Sequence, residues 1–184
     1  GLSLKDVTFD FKLFLFLNAL FAIGSFSYSF LLVYAQEFGF ETSFIPVLYL
    51  VFTGVASLFS LPFGKLADRM SRKFVLILSY LFWGLVCLGF VYVESHVGIV
   101  FLFVLYGLHR AASEPVQRTF VSELSPTERR ASMLGAFQMI VGLCALPASV
   151  IAGIMWTSFG KLTPFYVSLA LTSLTIVLML FVKE

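Results

Sequence analysis

The sequence predicts an all-α membrane protein, and three observations predict it. The 184 residues are 60% hydrophobic, with a mean hydropathy of +1.00, where soluble domains average about 45–50% apolar residues. Charged residues make up 12%, against about 25% in soluble domains. The charges also cluster in short connections and leave six long runs nearly free of them. An apolar run of about 18 or more residues crosses a bilayer as a helix, because lipid offers an open backbone no hydrogen-bond partner. A transmembrane barrel needs alternating segments of about ten residues, and that alternation is not visible.

The runs fall at about 13–34, 44–63, 74–93, 97–117, 132–155 and 162–182, and the whole of 1–184 reads as one bundle. Each has about 20 residues, enough for ~30 Å of hydrocarbon at 1.5 Å per residue. The first is too long for the core of a signal peptide, so no cleaved signal is expected. A chain that begins at Gly1 reads as a fragment, a processed product or a tag remnant. The first run carries a polar stripe of Asn18, Ala22, Ser25 and Ser29, with Tyr28 adjacent. Such residues either line a cavity or let helix backbones approach. Thr53, Ser57 and Ser60 on the second run, and Ser168, Thr172 and Thr175 on the sixth, read as packing residues. Cys87 in the third run and Cys144 in the fifth read as small buried apolar groups.

The fourth run is the most informative. Gly107, Arg110, Ala111, Glu114 and Arg118 recur at helical spacing and share one face. A charge in hydrocarbon costs ~2.5–3.5 kcal/mol even on the milder scales, so Arg110 and Glu114 are expected to face the bundle interior or a wet cavity. Arg110 is expected about 10 Å from the cytoplasmic helix end. Two readings stand side by side. Glu114 carries a proton or cation, or touches solute, with Arg110 tuning it; or the two form a structural ion pair with Arg110 snorkelling. His109 points elsewhere on the wheel, as a packed histidine or a group that titrates near pH 6.5. Pro115 is expected to kink or end the helix. On the fifth run Gly135, Gln138, Gly142, Ala145 and Ser149 share a face. Gln138 is a candidate solute contact, and the glycines with Pro147 are expected to allow close packing and bending. The 23 phenylalanines read as lipid-facing bulk or helix packing.

The connections set the orientation. Residues 35–43 are acidic, 94–96 form a tight turn, and 156–161 carry one Lys. Residues 64–73 and 118–131 are basic. With both termini in the cytoplasm, that side holds Lys5, Lys12, Lys65, Arg69, Arg72, Lys73, Arg118, Arg129, Arg130 and Lys183, and the outside holds only Lys161. That asymmetry follows the positive-inside rule.

The basic connection "GKLADRMSRK" (64–73) has more in it than anchoring requires. It resembles the signature loop of the major facilitator superfamily, roughly G-x-L-A-D-R-x-G-R-K/R, which joins the second and third helices of a six-helix half. Gly64, Leu66, Ala67, Asp68, Arg69, Arg72 and Lys73 match. Ser71 stands where Gly is usual, which makes a tight turn less free. "VSELSPTERRASMLG" (121–135) and "GLCALPASVIAG" (142–153) are similar to the family's link between fourth and fifth helices and to the broken helix after it. The G-P-x-x-G-G of many exporters' first half is missing, and Gly107 precedes Arg110 instead of following it. Both departures point to the second half, helices seven to twelve.

The resemblance implies one half-bundle of two inverted three-helix repeats, which rocks against a second six-helix half, fused or separate, around a central site. It implies that the first helix lines the cavity, so Asn18, Ser25 and Tyr28 join Arg110, Glu114 and Gln138 as candidate contacts. It implies that Gly64, Asp68, Arg69, Arg72 and Lys73 form a conformational latch. Asp68 would pair with Arg72 or a helix N-terminus, and Arg69 and Arg130 would meet Glu123 or Glu128. The other reading of that loop is topology anchoring alone.

Other chemistry is missing from the sequence. There is no phosphate-binding glycine loop, no metal-ligand cluster, no Ser/His/acid arrangement and no basic face for nucleic acid. No enzyme activity and no cofactor are expected. The expected function is a half of a secondary active transporter in the plasma membrane, moving a small solute across the bilayer with a proton or ion gradient. The alternative is a non-transporting membrane module or a homo-oligomeric channel.

Overall fold

The computed structural model describes residues 9–182. Lys5 and Lys183 of the orientation argument lie outside them. Every regular element among the described residues is helical: α1 (Phe9–Gly24), α2 (Tyr28–Phe38), α3 (Ile45–Arg69), α4 (Arg72–Tyr92), α5 (His96–Glu123), α6 (Arg130–Phe159) and α7 (Thr163–Met179), with single 3-10 turns before α3 and α6. Five stretches are long and apolar enough to cross a membrane: Phe9–Phe38, Thr42–Arg69, Arg72–Tyr92, His96–Glu123 and Thr127–Phe159. α7 is equally apolar but has 17 residues, about 25 Å of helix.

The first expected span is two helices rather than one. The last bond of α1 runs from Ser25 N–H to the Phe21 carbonyl, and α2 starts afresh with Ser27 as its cap, whose Oγ accepts from Ser29 N–H. The break has a packing cause. A Cβ on Gly24 would lie 2.9 Å from Leu171 Cβ, so α1 and α7 touch closely there. The turn that follows swings Phe26 inward, edge-on to Trp83 at 5.6 Å and to Phe165 at 5.2 Å. Such aromatic pairs contribute ~0.5–1.5 kcal/mol each beyond their area.

Helix association in lipid has little hydrophobic drive and rests on close packing and interhelical hydrogen bonds. α3 packs chiefly on α5, α4 on α5 and α7, and α1 on α6 and α7. The core at these crossings is aromatic: Trp83, Tyr80, Phe14, Phe90, Phe103, Phe120 and Phe165 are fully buried. Trp83 Nε1 donates to Ser168 Oγ at 2.8 Å and ties α4 to α7. α3 and α6 are the least covered helices, and their apolar side chains, Leu58 and Leu61 or Leu146 and Val150, face outward. A Cβ on Gly135 or Gly142 would meet nothing within 4 Å. The close packing expected of these two glycines is therefore not made within this chain.

The connection at 64–73 is mostly helix. α3 runs through Arg69, and only Met70 and Ser71 separate it from α4. Ser71 has extended backbone at φ 177° and its Oγ accepts from Phe74 N–H at 3.1 Å. The usual glycine is thus replaced by a helix cap, which needs no left-handed backbone. Lys73 Nζ reaches across to donate to the Leu180 and Val182 carbonyls at 2.7 and 2.8 Å, clasping the turn that follows α7. A hydrogen bond to a charged group is worth about 1.5–3 kcal/mol, less in an exposed setting. Lys73→Met is therefore expected to speed amide exchange at the end of α7 about tenfold while α4 stays protected. Unchanged hydrogen–deuterium exchange at residues 178–182 would mean the clasp is idle.

Candidate functional site

A cavity of about 430 Å³ opens on one flank of the bundle. Its walls come from α1, the turn after it, α2, α4, α5 and α6. α5 supplies the polar wall. Tyr106, His109, Arg110, Ser113, Glu114 and Gln117 all line the cavity, and their spacing of three and four residues is that of one helical face. The sequence-derived stripe was rotated from this one. It shared Arg110 and Glu114, but Gly107 and Ala111 are turned into the bundle and Arg118 does not line the cavity.

Arg110 and Glu114 form an ion pair along α5, with side chains 41% and 48% exposed. α5 does not stop near 117. It continues through Pro115 to Glu123, so Arg110 lies close to the middle of a 28-residue helix rather than near its end. Pro115 leaves the Ala111 carbonyl without its usual donor.

Across from this pair lies a buried polar chain. Asn18 is 2% exposed. Its Nδ2 donates to the Phe14 carbonyl at 2.8 Å and its Oδ1 accepts from the Tyr80 hydroxyl at 3.2 Å. Ser25 and Tyr28 line the cavity too, at the break between α1 and α2. The structure thus brings Asn18, Ser25, Tyr28, Arg110 and Glu114 together. Gln138 is not with them. It sits on the exposed side of α6, whose Val141, Ala145 and Ser149 are the residues that reach the cavity.

Most of the cavity wall lies outside the contacts expected from the sequence, Phe21, Phe26, Ser113 and Gln117 included. Trp83, Tyr106 and His109 form an aromatic corner with Phe21, ring centroids 5.6 to 6.0 Å apart around His109. His109 Nδ1 lies 2.8 Å from the Ser79 carbonyl oxygen. Its spacing from Arg110 and Glu114, and its register with Ser113 and Gln117, were the signal available.

The charged residues of 64–73 lie at one end of the bundle. Arg72 Nη2 is 3.3 Å from Asp68 Oδ1 and 2.6 Å from Glu123 Oε1, so it joins the ends of α3, α4 and α5. Arg72 therefore takes the place expected of Arg69: among the ion pairs of the described residues, none joins Arg69 or Arg130 to Glu123 or Glu128. Arg69 instead borders a shallow groove with Pro62 and Lys65. A Cβ on Gly64 would meet nothing within 4 Å. At the opposite end Lys161 pairs with Glu37. Among the described residues no three His, Cys, Asp or Glu side chains are placed to hold a metal ion.

A family profile described as the Major Facilitator Superfamily matches residues 14–184. The chain belongs to the Major Facilitator Superfamily. It is 39% identical over 170 residues to an uncharacterized MFS-type transporter of Methanocaldococcus jannaschii, covering 89% of this chain and 43% of that protein. A second such transporter of the same organism is 25% identical, covering 73% of this chain and 35% of its own length. One from Bacillus subtilis is 26% identical over 64% of this chain and 30% of its length. The chain thus spans less than half the length of these superfamily relatives. The superfamily is one of membrane transporters, not enzymes.

Proposed function

We propose that this chain is one six-helix half of a secondary active transporter, which moves a small solute by alternating access and couples it to a proton or ion gradient. The observation that carries the reading is the cavity. A chain with so few charges places an ion pair at mid-helix, beside a buried Asn18–Tyr80 chain, on a wall open to one flank. Charges at that depth are costly and ordinarily serve a pathway or binding site.

The packing supports two inverted three-helix repeats. Exchanging the first, second and third spans for the fourth, fifth and sixth turns α3 on α5 into α6 on α1, and α4 on α5 into α7 on α1, both of which occur. The thinly covered helices α3 and α6 are also exchanged by that operation. The exposed apolar faces and the relatives' greater length support a second six-helix half, fused or separate, that closes the cavity. Basic residues gather where α3 ends and α4 starts, and this supports a plasma-membrane orientation with both termini in the cytoplasm. Gly64, Asp68, Arg69, Arg72 and Lys73 then form a cytoplasmic latch, in which Arg72 bridges Asp68 and Glu123 in one conformation and releases them in the other.

The test reconstitutes the full-length polypeptide containing this chain in sealed vesicles and follows solute flux under an imposed proton gradient. Accumulation that a protonophore abolishes is the expected result. Flux that is only downhill, at channel rates, would replace the transporter with a pore. Asp68→Asn is expected to cut flux severalfold with normal insertion, and wild-type flux in that variant removes the latch.

A further inference from the structure

We infer that the cavity takes a monoanionic solute, a carboxylate on an apolar or aromatic body, and that His109 Nε2 accepts the proton that enters with it. The inference deepens the transporter reading above and rests on it.

The argument starts at the His109 ring. The residue is 5% exposed. A carbonyl oxygen only accepts, so the contact to Ser79 assigns the ring hydrogen to Nδ1. Nε2 is then a bare lone pair. It makes no hydrogen bond within the described residues, and the residue lines the cavity. Neutral His109 can only accept there; protonated, it becomes a donor with a full charge.

The second observation is the start of α2. This 11-residue helix begins in the cavity wall at Ser27 and Tyr28. The first N–H groups of a helix lack intrahelical acceptors, and the dipole makes that end partly positive. Ser27 Oγ covers the Ser29 N–H. The break in the first span therefore presents an anion-favouring end to the same space as Arg110 and His109.

Charge balance then links solute to proton. Around His109, α5 contributes Tyr106, Arg110 and Glu114, α4 contributes Tyr80, and α2 contributes Tyr28; α1 and α6 place no titratable group on the cavity. The phenols are neutral, and Arg110 is already matched by Glu114. The wall therefore sums to zero while His109 is neutral. An anion entering this low-dielectric site needs one compensating positive charge. Protonation of His109 or of Glu114 would each supply it, and Glu114 is already engaged by Arg110, so the step is assigned to His109: the lone pair takes a proton from the cavity, and the new N–H donates to the carboxylate. Phe21, Trp83 and Tyr106 flank the ring, Phe26 lines the same cavity, and together they suit an apolar or aromatic body.

The experiment titrates benzoate into the purified full-length protein by calorimetry, in buffers of different ionisation enthalpy. The expected result is about one proton taken up per benzoate near pH 7.5, with affinity falling about tenfold per pH unit above that. Benzamide, the neutral isostere, should bind at least about tenfold more weakly. His109→Gln should lose proton uptake and the pH dependence. Benzoate binding without proton uptake in the wild type, equal binding of benzamide, or uptake retained in His109→Gln each overturns the inference; the last would place the proton on another group such as Glu114. No benzoate binding in vesicles that still accumulate another solute also overturns it and leaves the transporter reading intact. Proton-linked binding without flux of any solute would do the reverse.

Discussion

Arg110→Gln is expected to lower gradient-driven flux about ten- to a hundredfold, and adding Glu114→Gln is expected to restore part of it. The magnitude follows from the setting of the pair. Removing one partner of a fully buried ion pair costs ~3–5 kcal/mol, because a bare charge is left in apolar surroundings. An exposed surface pair is worth ~0–1 kcal/mol. These side chains are 41% and 48% exposed, but only onto a cavity at mid-helix, so a cost of about 1–3 kcal/mol is appropriate. The double variant removes the uncompensated charge, which is why it should recover flux that the single variant loses. Two equally impaired variants would instead mean that Arg110 acts through its own contacts. Flux in vesicles, normalised to inserted protein, decides between these.

Gly107→Val is expected to destabilise the fold by about 3 kcal/mol or more. Gly107 is where α5 crosses α3. A Cβ there would lie 2.7 Å from the Phe52 carbonyl oxygen and 2.7 Å from Val55 Cβ. Neither atom is the loose end of a flexible side chain, so the helices themselves must separate. Overpacking of a tight site typically costs ~1–3 kcal/mol, and a backbone contact puts this site at the upper end. The control is Gly142→Val, where an added Cβ would meet nothing within 4 Å. Thermal unfolding in detergent should separate the two clearly, and equal stability would mean that the crossing at Gly107 can relax.

Much of this was legible from composition alone. Hydropathy located the helices, because lipid imposes the same length and apolarity on every spanning segment. The decapeptide from Gly64 to Lys73 identified the family. What stayed hidden depends on how helices meet. Nothing local to Gly24–Ser27 required a break; the close approach of Leu171 and the inward seat of Phe26 did. The connection at 64–73 looked like a loop because its charges interrupt hydropathy, but Lys, Asp and Arg sit comfortably in an exposed last helical turn. On α5 the charges were visible and the face was misjudged by one position. Gly107 suggested a polar stripe when its role was contact with α3. Gln138 lies outside this cavity for the reverse reason: its helix presents Val141 and Ala145 there, a rotation that only packing determines.

The two residues between α3 and α4 have a mechanical consequence. Met70 and Ser71 can extend about 7 Å at most, so the two helix ends cannot drift apart. α3 has 25 residues, about 37 Å of lever arm. The short connection keeps it from sliding, and a tilt of about 10° at this fulcrum would carry its far end roughly 6 Å. In the proposed latch, small adjustments among Asp68, Arg72 and Glu123 would thus be geared up across the thickness of the bundle. Two glycines inserted between Met70 and Ser71 would turn the knee into a tether and uncouple the helices without touching a single charge.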